Sequence, residues 1–324
     1  MLPKNIALCL TLTFAATSAW TKEKSVERKV SERLIVKISP SVILQTLKVS
    51  SDSRRVAYVA ESGNKQLVVV DGKEGKAYGG IEESGPVFSS DGKRVAYVAN
   101  FGAKQFVVVD GKEGKAYKRT YDGIGIGTPV FSPDGKRLAY VANSGGKQFV
   151  VVDGKEGKAY DRGGYEGFGT GAFSADSKRF AYVANSGGQQ VVVVDGKEGK
   201  VYGRVGGLGF SSDSKRMAYI AWGHNDFVVV NGTEGKVYER ITLNVVFSAD
   251  SRHVVYVVGA DSKNFVVVDG EEGKSYDGVY GPPILSSDGK RVAYVAAIGS
   301  KRFVLVDGNE GKEYDDVQVG SLVF

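Results

Sequence analysis

The chain has 324 residues and a formal net charge of +6, with 44 glycines, 7 prolines and one cysteine. One cysteine excludes an internal disulfide and a cysteine-rich zinc site. An excess of positive charge is typical of proteins that bind nucleic acid, but lysines alternate with acids along this chain, as in the recurring stretch DGKEGK. Because no basic stripe results, we predict a solvated charged surface and no nucleic-acid partner.

Residues 1–19 have the features of a secretory signal peptide. One early lysine is followed by an apolar run over Ile6–Ala16, and small residues precede a cleavage point near Ala19. The run is shorter than the roughly 20 apolar residues that cross a bilayer. Cys9 follows Leu8, whereas a lipoprotein signal carries a small residue before its cysteine. We therefore predict export to the periplasm or out of the cell, with no transmembrane segment in the mature chain.

Residues 20–44 are predicted to be a linker that includes an N-terminal strand. Their first part, Lys22–Lys37, is rich in charges of both signs, while residues 33–38 (RLIVKI) alternate in the manner of a strand. The first strand of the repeated region is expected over Gln45–Val49.

From residue 45 to residue 324 one unit recurs, and its clearest copy is Pro129–Tyr160, PVFSPDGKRLAYVANSGGKQFVVVDGKEGKAY. Short runs rich in Val, Phe, Tyr and Ala are separated by SPDG, NSGG and DGKEG, which are typical of turns. This pattern predicts four antiparallel strands in each unit: A (PVF), B (RLAYVA), C (QFVVVD) and D (KAYDR), with a hairpin between C and D.

The number of units follows from an aspartate in the turn between strands A and B, which has the context S-x-D-[GS]-[KR]. Successive turn aspartates are 37 to 43 residues apart, the period of a four-stranded propeller blade. One such sheet cannot cover both of its faces, whereas sheets arranged radially bury them against their neighbours. We therefore predict an all-β β-propeller of seven blades, with turn aspartates at Asp52, Asp91, Asp134, Asp176, Asp213, Asp250 and Asp288.

The stretch FSPDGKRLAYVA at Phe131–Ala142 and its copies at Phe88–Ala99 and Phe173–Ala184 resemble the WD40-like β-propeller repeats of the PD40 type, which occur in TolB-type propellers. The resemblance extends over residues 45–324 and implies the propeller fold. It implies no particular function, because the repeat is the scaffold. The chain lacks an evident N-terminal α/β domain of the TolB type, so the resemblance implies no partner either.

At the other end of the repeated region, Gly320–Phe324 (GSLVF) matches strand A of a further unit whose strands B and C do not follow. Two closures are compatible with this pattern. Seven complete units can close as seven blades with one additional strand, which is our prediction. Alternatively, there are eight blades, and the eighth lacks its middle because the chain is truncated.

Function is expected where the units differ, because features repeated in every unit serve folding. The D–A connections and the B–C turns project at one mouth of the propeller channel, and glycine-rich loops with aromatic and arginine side chains suit a binding surface. The longest D–A segments are Lys118–Pro129 and Asp161–Gly171. They supply the candidate binding residues Arg119, Tyr121, Asp122, Arg162, Tyr165, Glu166 and Phe168.

The fifth unit departs from the others in its B–C turn, where AWGHND at Ala221–Asp226 replaces the common ANSGGK. Trp222 and His224 therefore join the candidate binding residues at the same mouth. The other histidine, His253, takes the place of an arginine after the A–B turn on the opposite face, and it is predicted to be structural.

The sequence contains none of the motifs G-x-S-x-G, H-E-x-x-H and D-x-D-x-D-G, which are typical of hydrolases and metal sites. We predict a monomeric, non-catalytic module, without cofactor or metal, that binds a protein, peptide or glycan at the channel mouth. Alanine at Tyr121, Tyr165 and Trp222 is expected to abolish this binding with little change in melting temperature. The alternative is the propeller portion of a longer hydrolase that resembles the prolyl-oligopeptidase-like serine peptidases, with its catalytic domain outside this chain.

Overall fold

The computed structural model describes residues 37–118, 123–124, 129–162, 171–242, 245–318, 320 and 322–324. All regular structure within these ranges is β-strand, and paired strands are antiparallel. The chain divides into two compact units, one formed by Met1–Ser144 with Val151–Lys155 and the other by Gly145–Val150 with Glu156–Phe324. Each unit contains copies of the same four-stranded sheet.

The strands of the first unit belong to the first three repeats. They are β1 (Val42–Val49), β2 (Val56–Ser62), β3 (Lys65–Val70), β4 (Lys73–Glu74), β5 (Gly80–Ile81), β6 (Val87–Phe88), β7 (Val95–Phe101), β8 (Lys104–Val109), β9 (Lys112–Glu113), β10 (Tyr117–Lys118), β11 (Gly123–Ile124), β12 (Val130–Phe131) and β13 (Leu138–Ser144). The first sheet has the order β1-β2-β3-β4, and strand D continues to Tyr78, which forms a bridge with Gln66. Strand A of this sheet begins at Val42, earlier than the predicted Gln45.

Strand A is longer than the sequence predicts. In the second repeat it consists of two segments, β5 and β6, which pair with different parts of β7. β11 and β12 pair with β13 in the same way, so Gly123–Ile124 is strand within a segment that was expected to be a loop. The first segment of strand A is two residues long and contains glycine, so it leaves no alternating apolar pattern by which to predict it.

The second unit contains the strands of the later repeats, while β14 (Lys147–Val152) and β15 (Lys155–Glu156) have residues in both units. Its sheets have the orders β21-β22-β23-β24, β25-β27-β28-β29 and β30-β31-β32-β33. The bounds are β16 (Tyr160–Asp161), β17 (Ala172–Phe173), β18 (Phe180–Ser186), β19 (Gln189–Val194), β20 (Lys197–Tyr202), β21 (Arg204–Phe210), β22 (Met217–Trp222), β23 (Phe227–Val230), β24 (Thr233–Glu234), β25 (Arg240–Ile241), β26 (Val246–Phe247), β27 (Val254–Ala260), β28 (Lys263–Val268), β29 (Glu271–Glu272), β30 (Gly278–Leu285), β31 (Val292–Ile298), β32 (Lys301–Val306) and β33 (Asn309–Glu310).

Within each unit, consecutive sheets pack face to face through their apolar side chains. Val59 of the first repeat and Val95 and Phe106 of the second lie in one buried cluster around Tyr78. The sixth and seventh repeats pack in the same manner around Tyr276. The predicted fold class is therefore confirmed: the protein is all-β and is built from repeated four-stranded antiparallel units of the kind that form propeller blades. The units of the third and fourth repeats are joined into one larger sheet by the pairing of β16 with β18. The seven-blade closure and the eight-blade alternative stay predictions.

A tyrosine in strand D joins each described pair of sheets, and we call its contacts the tyrosine interface. Tyr78 packs edge to face on Tyr97 and Phe106 of the next repeat, with ring centroids 6.3 and 5.6 Å apart. Its hydroxyl donates to Glu113 Oε1 at 3.1 Å, and Lys76 Nζ donates to the same oxygen at 2.7 Å. The same tyrosine–glutamate hydrogen bond joins Tyr202 to Glu234 and Tyr276 to Glu310.

Burial and hydrogen bonding in this interface shift the pKa values of both partners. Burial raises the pKa of Tyr78 far above its ordinary value, while the hydrogen bond from Lys76 lowers the pKa of Glu113. Tyr276 is only 1% exposed, but Tyr314, which holds the same position in the seventh repeat, is 49% exposed. The interface therefore depends on the following repeat for its burial.

Candidate binding surface at the B–C turns

Each four-stranded sheet has two ends that carry different connections. The A–B end carries the turn between strands A and B and the hairpin between C and D. The B–C end carries the turn between B and C and the connection from D to the next strand A. Residues that repeat at an end serve the fold, so a binding surface is expected at the end where exposed side chains differ between repeats.

The A–B end is built from a serine–aspartate turn that recurs along the chain. In the second repeat the buried Ser89 hydroxyl donates to Asp91 Oδ1 at 2.6 Å and accepts a hydrogen bond from the backbone N–H of Arg94 at 2.9 Å. The Asp91 carboxylate also accepts the N–H of Lys93 at 3.1 Å. The serine hydroxyl and this N–H hold the pKa of Asp91 below its ordinary value. The pKa is lowered in the same way at Asp52, Asp176, Asp213, Asp250 and Asp288.

An arginine at this end connects one repeat to the next. Arg94 Nε donates to Asp110 Oδ2 at 2.9 Å, and Arg94 Nη1 donates to the carbonyl oxygen of Lys136 in the next repeat at 2.7 Å. Its guanidinium also lies 5.3 Å from the ring centroid of Phe131. We call this set of contacts the arginine bridge. The whole set recurs in Arg55, and Arg216 makes the same contacts with carbonyl oxygens of the following turn.

His253 holds the arginine position in the sixth repeat, as the sequence analysis placed it. Its ring Nδ1 lies 2.6 Å from Asp269 Oδ2, and its backbone N–H donates to the hydroxyl of Ser248 at 2.9 Å. These are the intra-repeat contacts that the arginines make elsewhere. The contacts support the structural role predicted for this histidine.

Part of the B–C end also repeats. Asp277, which follows the strand D tyrosine, accepts the N–H of Gly299 in the next repeat at 2.6 Å and pairs with Lys263. Asp161 makes the same two contacts, with the N–H of Gly187 at 2.9 Å and with Lys147 Nζ at 2.5 Å. These hydrogen bonds lower the pKa of both aspartates. We therefore assign these two carboxylates to the fold.

Six of the nine residues predicted to bind lie outside the described residues: Arg119, Tyr121, Asp122, Tyr165, Glu166 and Phe168. Arg162 is described and exposed. His224 is exposed in the turn between β22 and β23 and makes no hydrogen bond to another described residue. Among the described ranges, no group of three or more His, Cys, Asp and Glu residues is placed to hold a metal ion.

Trp222 is more deeply packed than the sequence analysis assumes. It is half-buried at the end of β22 and packs against the apolar cluster between the fifth and sixth repeats. Its ring lies so close over Gly206 that a Cβ added there would be 2.5 Å from a ring carbon. The Arg204 guanidinium lies 5.2 Å from the ring centroid on the same sheet. The structure therefore gives the tryptophan a packing role.

Replacement of Trp222 by alanine is expected to lower the free energy of unfolding by about 1–3 kcal/mol, less than for a fully buried tryptophan. The expectation of a nearly unchanged melting temperature does not fit the packing of Trp222. Urea denaturation of the variant measures the effect, and His224→Ala is the matched control in the same turn. Equal stability of the two variants would contradict the packing argument.

Two exposed apolar residues of the B–C turns were missed by the sequence analysis. Phe101 in the second repeat is 55% exposed, and Ile298 in the seventh is 50% exposed. The same turn position holds a small residue in the five other repeats: Ser62, Ser144, Ser186, Gly223 and Ala260. The two exposed residues could have been predicted, because an alignment of the repeats shows Phe and Ile at a turn position that holds small residues elsewhere.

The seventh repeat carries a further departure on strand C. Gln66 and Gln190 accept an N–H from strand A of the next repeat at 2.7 Å, but Arg302 holds this position in the seventh repeat. Arg302 pairs with Asp316 and lies 4.3 Å from the ring centroid of Tyr280, which is itself 38% exposed. A donor thus replaces an acceptor, and an exposed aromatic–arginine pair is added to this end.

None of the described residues forms a helix that could cross a membrane. No protein-family model matches the chain, and a comparison with curated proteins finds no match.

Many solved structures share a likeness with the chain, and two of them are described. TolB from Acinetobacter baumannii is 18% identical over 81% of this chain and 65% of TolB, with a TM-score of 0.35. A eukaryotic initiation factor is 11% identical over 87% of this chain and 79% of that protein, with a TM-score of 0.47. The chain therefore spans 65% of the length of TolB. The fold of this chain is established by its own strand pairing.

Proposed function

We propose that the protein is a non-catalytic module that binds a protein, peptide or glycan through the B–C ends of its sheets. The observation that carries the proposal is the exposure of Phe101 and Ile298 at a turn position that holds a small residue in the other repeats. Exposed aromatic and aliphatic side chains on turns held by a rigid sheet are favourable anchors for a partner.

The A–B end offers less to a partner. Its arginines and aspartates hydrogen-bond to each other and to the next turn, as Arg94 does with Asp110 and Lys136. A partner that binds there has to displace these contacts. The contrast between the two ends supports the B–C end as the binding surface.

The distribution of shifted pKa values supports a non-catalytic role. Among the described residues, the shifted groups are the turn aspartates, the aspartates after the strand D tyrosine, Asp307 of the last C–D hairpin, and the tyrosines and glutamates of the tyrosine interface. They lie at positions that recur along the chain, and most are engaged in hydrogen bonds to neighbouring repeats or turns. The signal-peptide features of residues 1–19 support export, so we place the module in the periplasm or outside the cell.

Replacing both anchors with serine, Phe101→Ser with Ile298→Ser, is expected to weaken partner binding at least tenfold, because burial of a Phe or Ile side chain contributes about 1.5–3 kcal/mol. The partner is first isolated by photo-crosslinking at position 101 in the native source. Its affinity for each variant is then measured by calorimetry.

Two matched substitutions serve as controls for this experiment. Ser186→Ala changes the same turn position in the fourth repeat, and Lys93→Ala changes an exposed side chain at the A–B end. Both are expected to bind as the wild type does. Full binding by the double serine variant, or loss of binding in Lys93→Ala, would place the binding surface elsewhere.

A further inference from the structure

A cavity of about 350 Å³ lies between the fourth and fifth repeats, at the A–B end of their sheets. Its wall combines the apolar side chains of Val192 and Met217 with the basic side chains of Arg179, Lys197 and Lys215. Pockets that bind small molecules typically measure about 300–1,000 Å³ and are apolar with a few placed polar groups. This cavity is distinct from the B–C turns to which we assign partner binding.

The arginine bridge is incomplete at this cavity. Arg179 Nε contacts Asp195 Oδ2 at 3.2 Å, a longer contact than the 2.9 Å of Arg94 with Asp110. Among the described residues, Arg179 makes no hydrogen bond to a carbonyl oxygen of the next turn, whereas Arg94 and Arg216 do. The terminal nitrogens of Arg179 are therefore available as donors at the cavity wall.

Asn231 removes a negative charge from the same wall. The corresponding residue is aspartate in the six other repeats: Asp71, Asp110, Asp153, Asp195, Asp269 and Asp307. Asn231 Oδ1 accepts the N–H of Met217 at 2.9 Å, just as Asp153 Oδ1 accepts the N–H of Leu138 at 3.0 Å. The second carboxylate oxygen is thus replaced by an amide NH₂, so a donor stands where the other repeats have an acceptor.

The residues that line the cavity carry more positive than negative charge. Lys197 has no carboxylate oxygen within 4.0 Å among the described residues, while Lys215 lies near Asp213 and contributes to the lowered pKa of that aspartate. Glu198 also lines the cavity, but it pairs with Lys158 of the preceding repeat at 2.7 Å. Arg179 has Asp195 as its counter-ion. The charged side chains of the lining are thus three cations and one carboxylate.

From these observations we infer that the cavity binds a small molecule bearing a phosphate group. A phosphate anion suits a lining in which cations outnumber carboxylates, and its oxygens accept hydrogen bonds from guanidinium, ammonium and amide donors. Val192 and Met217 can contact an apolar part of the ligand. Among the described residues, no other pair of neighbouring repeats combines an arginine that makes no hydrogen bond to the next turn with an asparagine in place of the hairpin aspartate.

The experiment measures the binding of phenyl phosphate and inorganic phosphate to the full chain by calorimetry. Phenyl phosphate is expected to bind, and Asn231→Asp and Lys215→Ala are each expected to weaken its binding at least about tenfold through added repulsion or a lost donor. Lys136→Ala, the matched change in the third repeat, is expected to leave binding unchanged. Asn231→Asp should fold normally, since aspartate occupies this position in the other repeats.

Three outcomes would overturn the assignment: no binding of phenyl phosphate, equal binding by the wild type and by both cavity variants, or equally tight binding of benzoate. The variant with serine at positions 101 and 298 separates this inference from the proposed function. It should bind phenyl phosphate normally while its affinity for the macromolecular partner is reduced.

Discussion

Replacement of Tyr276 by alanine is expected to lower the free energy of unfolding by about 3–5 kcal/mol, the range for removal of a large buried aromatic side chain. Tyr276 is 1% exposed, and its ring packs edge to face on Phe303 at a centroid distance of 5.6 Å. Its hydroxyl donates to Glu310 Oε1 at 3.1 Å. The substitution therefore removes a ring contact and a hydrogen bond between the sixth and seventh repeats and leaves a cavity.

The chain contains a matched control for this substitution. Tyr314 occupies the same position in the seventh repeat but is 49% exposed. Tyr314→Ala is expected to cost less than about 1 kcal/mol, as is typical of exposed sites. Urea denaturation followed by far-ultraviolet circular dichroism compares the two variants. Similar losses in both would show that the tyrosine contributes within its own repeat and not through the next one.

The protein is expected to unfold as the pH rises above about 10, the ordinary pKa of tyrosine. Burial raises the pKa of ten tyrosines: Tyr78, Tyr97, Tyr160, Tyr182, Tyr202, Tyr219, Tyr238, Tyr256, Tyr276 and Tyr294. Because these side chains ionise more easily in the unfolded chain, the unfolded state holds fewer protons above this pH. Stability is therefore complete below about pH 10 and is lost as the pH increases.

Absorbance at 295 nm and circular dichroism, recorded together from pH 8 to pH 13, test this expectation. Ionisation of the buried tyrosines and loss of β-structure should occur in one cooperative step. Tyr276→Phe removes one buried ionisable group and should move the step to higher pH, whereas Tyr314→Phe should not move it. Gradual ionisation near pH 10 with intact circular dichroism would contradict the burial of these hydroxyls.

Strands B and C were predictable from the sequence because each is a continuous apolar run between recognisable turns. Val95–Phe101 and Lys104–Val109 in the second repeat lie where the repeat pattern placed them. The first half of strand A was not predictable, because segments such as Gly80–Ile81 are two residues long. Their pairing is decided by contacts with strand B and leaves no local pattern.

The candidate site was predictable only in part. The sequence singled out Trp222 as a candidate binding residue, but its contact with Gly206 joins residues of two strands and cannot be read from spacing. Phe101 was missed because a phenylalanine among many apolar residues looks ordinary unless the repeats are aligned. The cavity near Asn231 was missed as well. Asn231 replaces an aspartate that pairs with an arginine in other repeats, and this pairing is known only from the structure.

The tyrosine interface has a consequence for how such a chain can change over generations. Each described contact runs from one repeat to its successor and uses residues at constant positions, as Tyr202 with Glu234 and Tyr276 with Glu310 do. Duplication or deletion of one whole repeat recreates the same contact at the new junction. The gene can therefore lengthen or shorten by complete repeats while the core chemistry is preserved, and new ligand sites can arise in a single copy while the others maintain the fold.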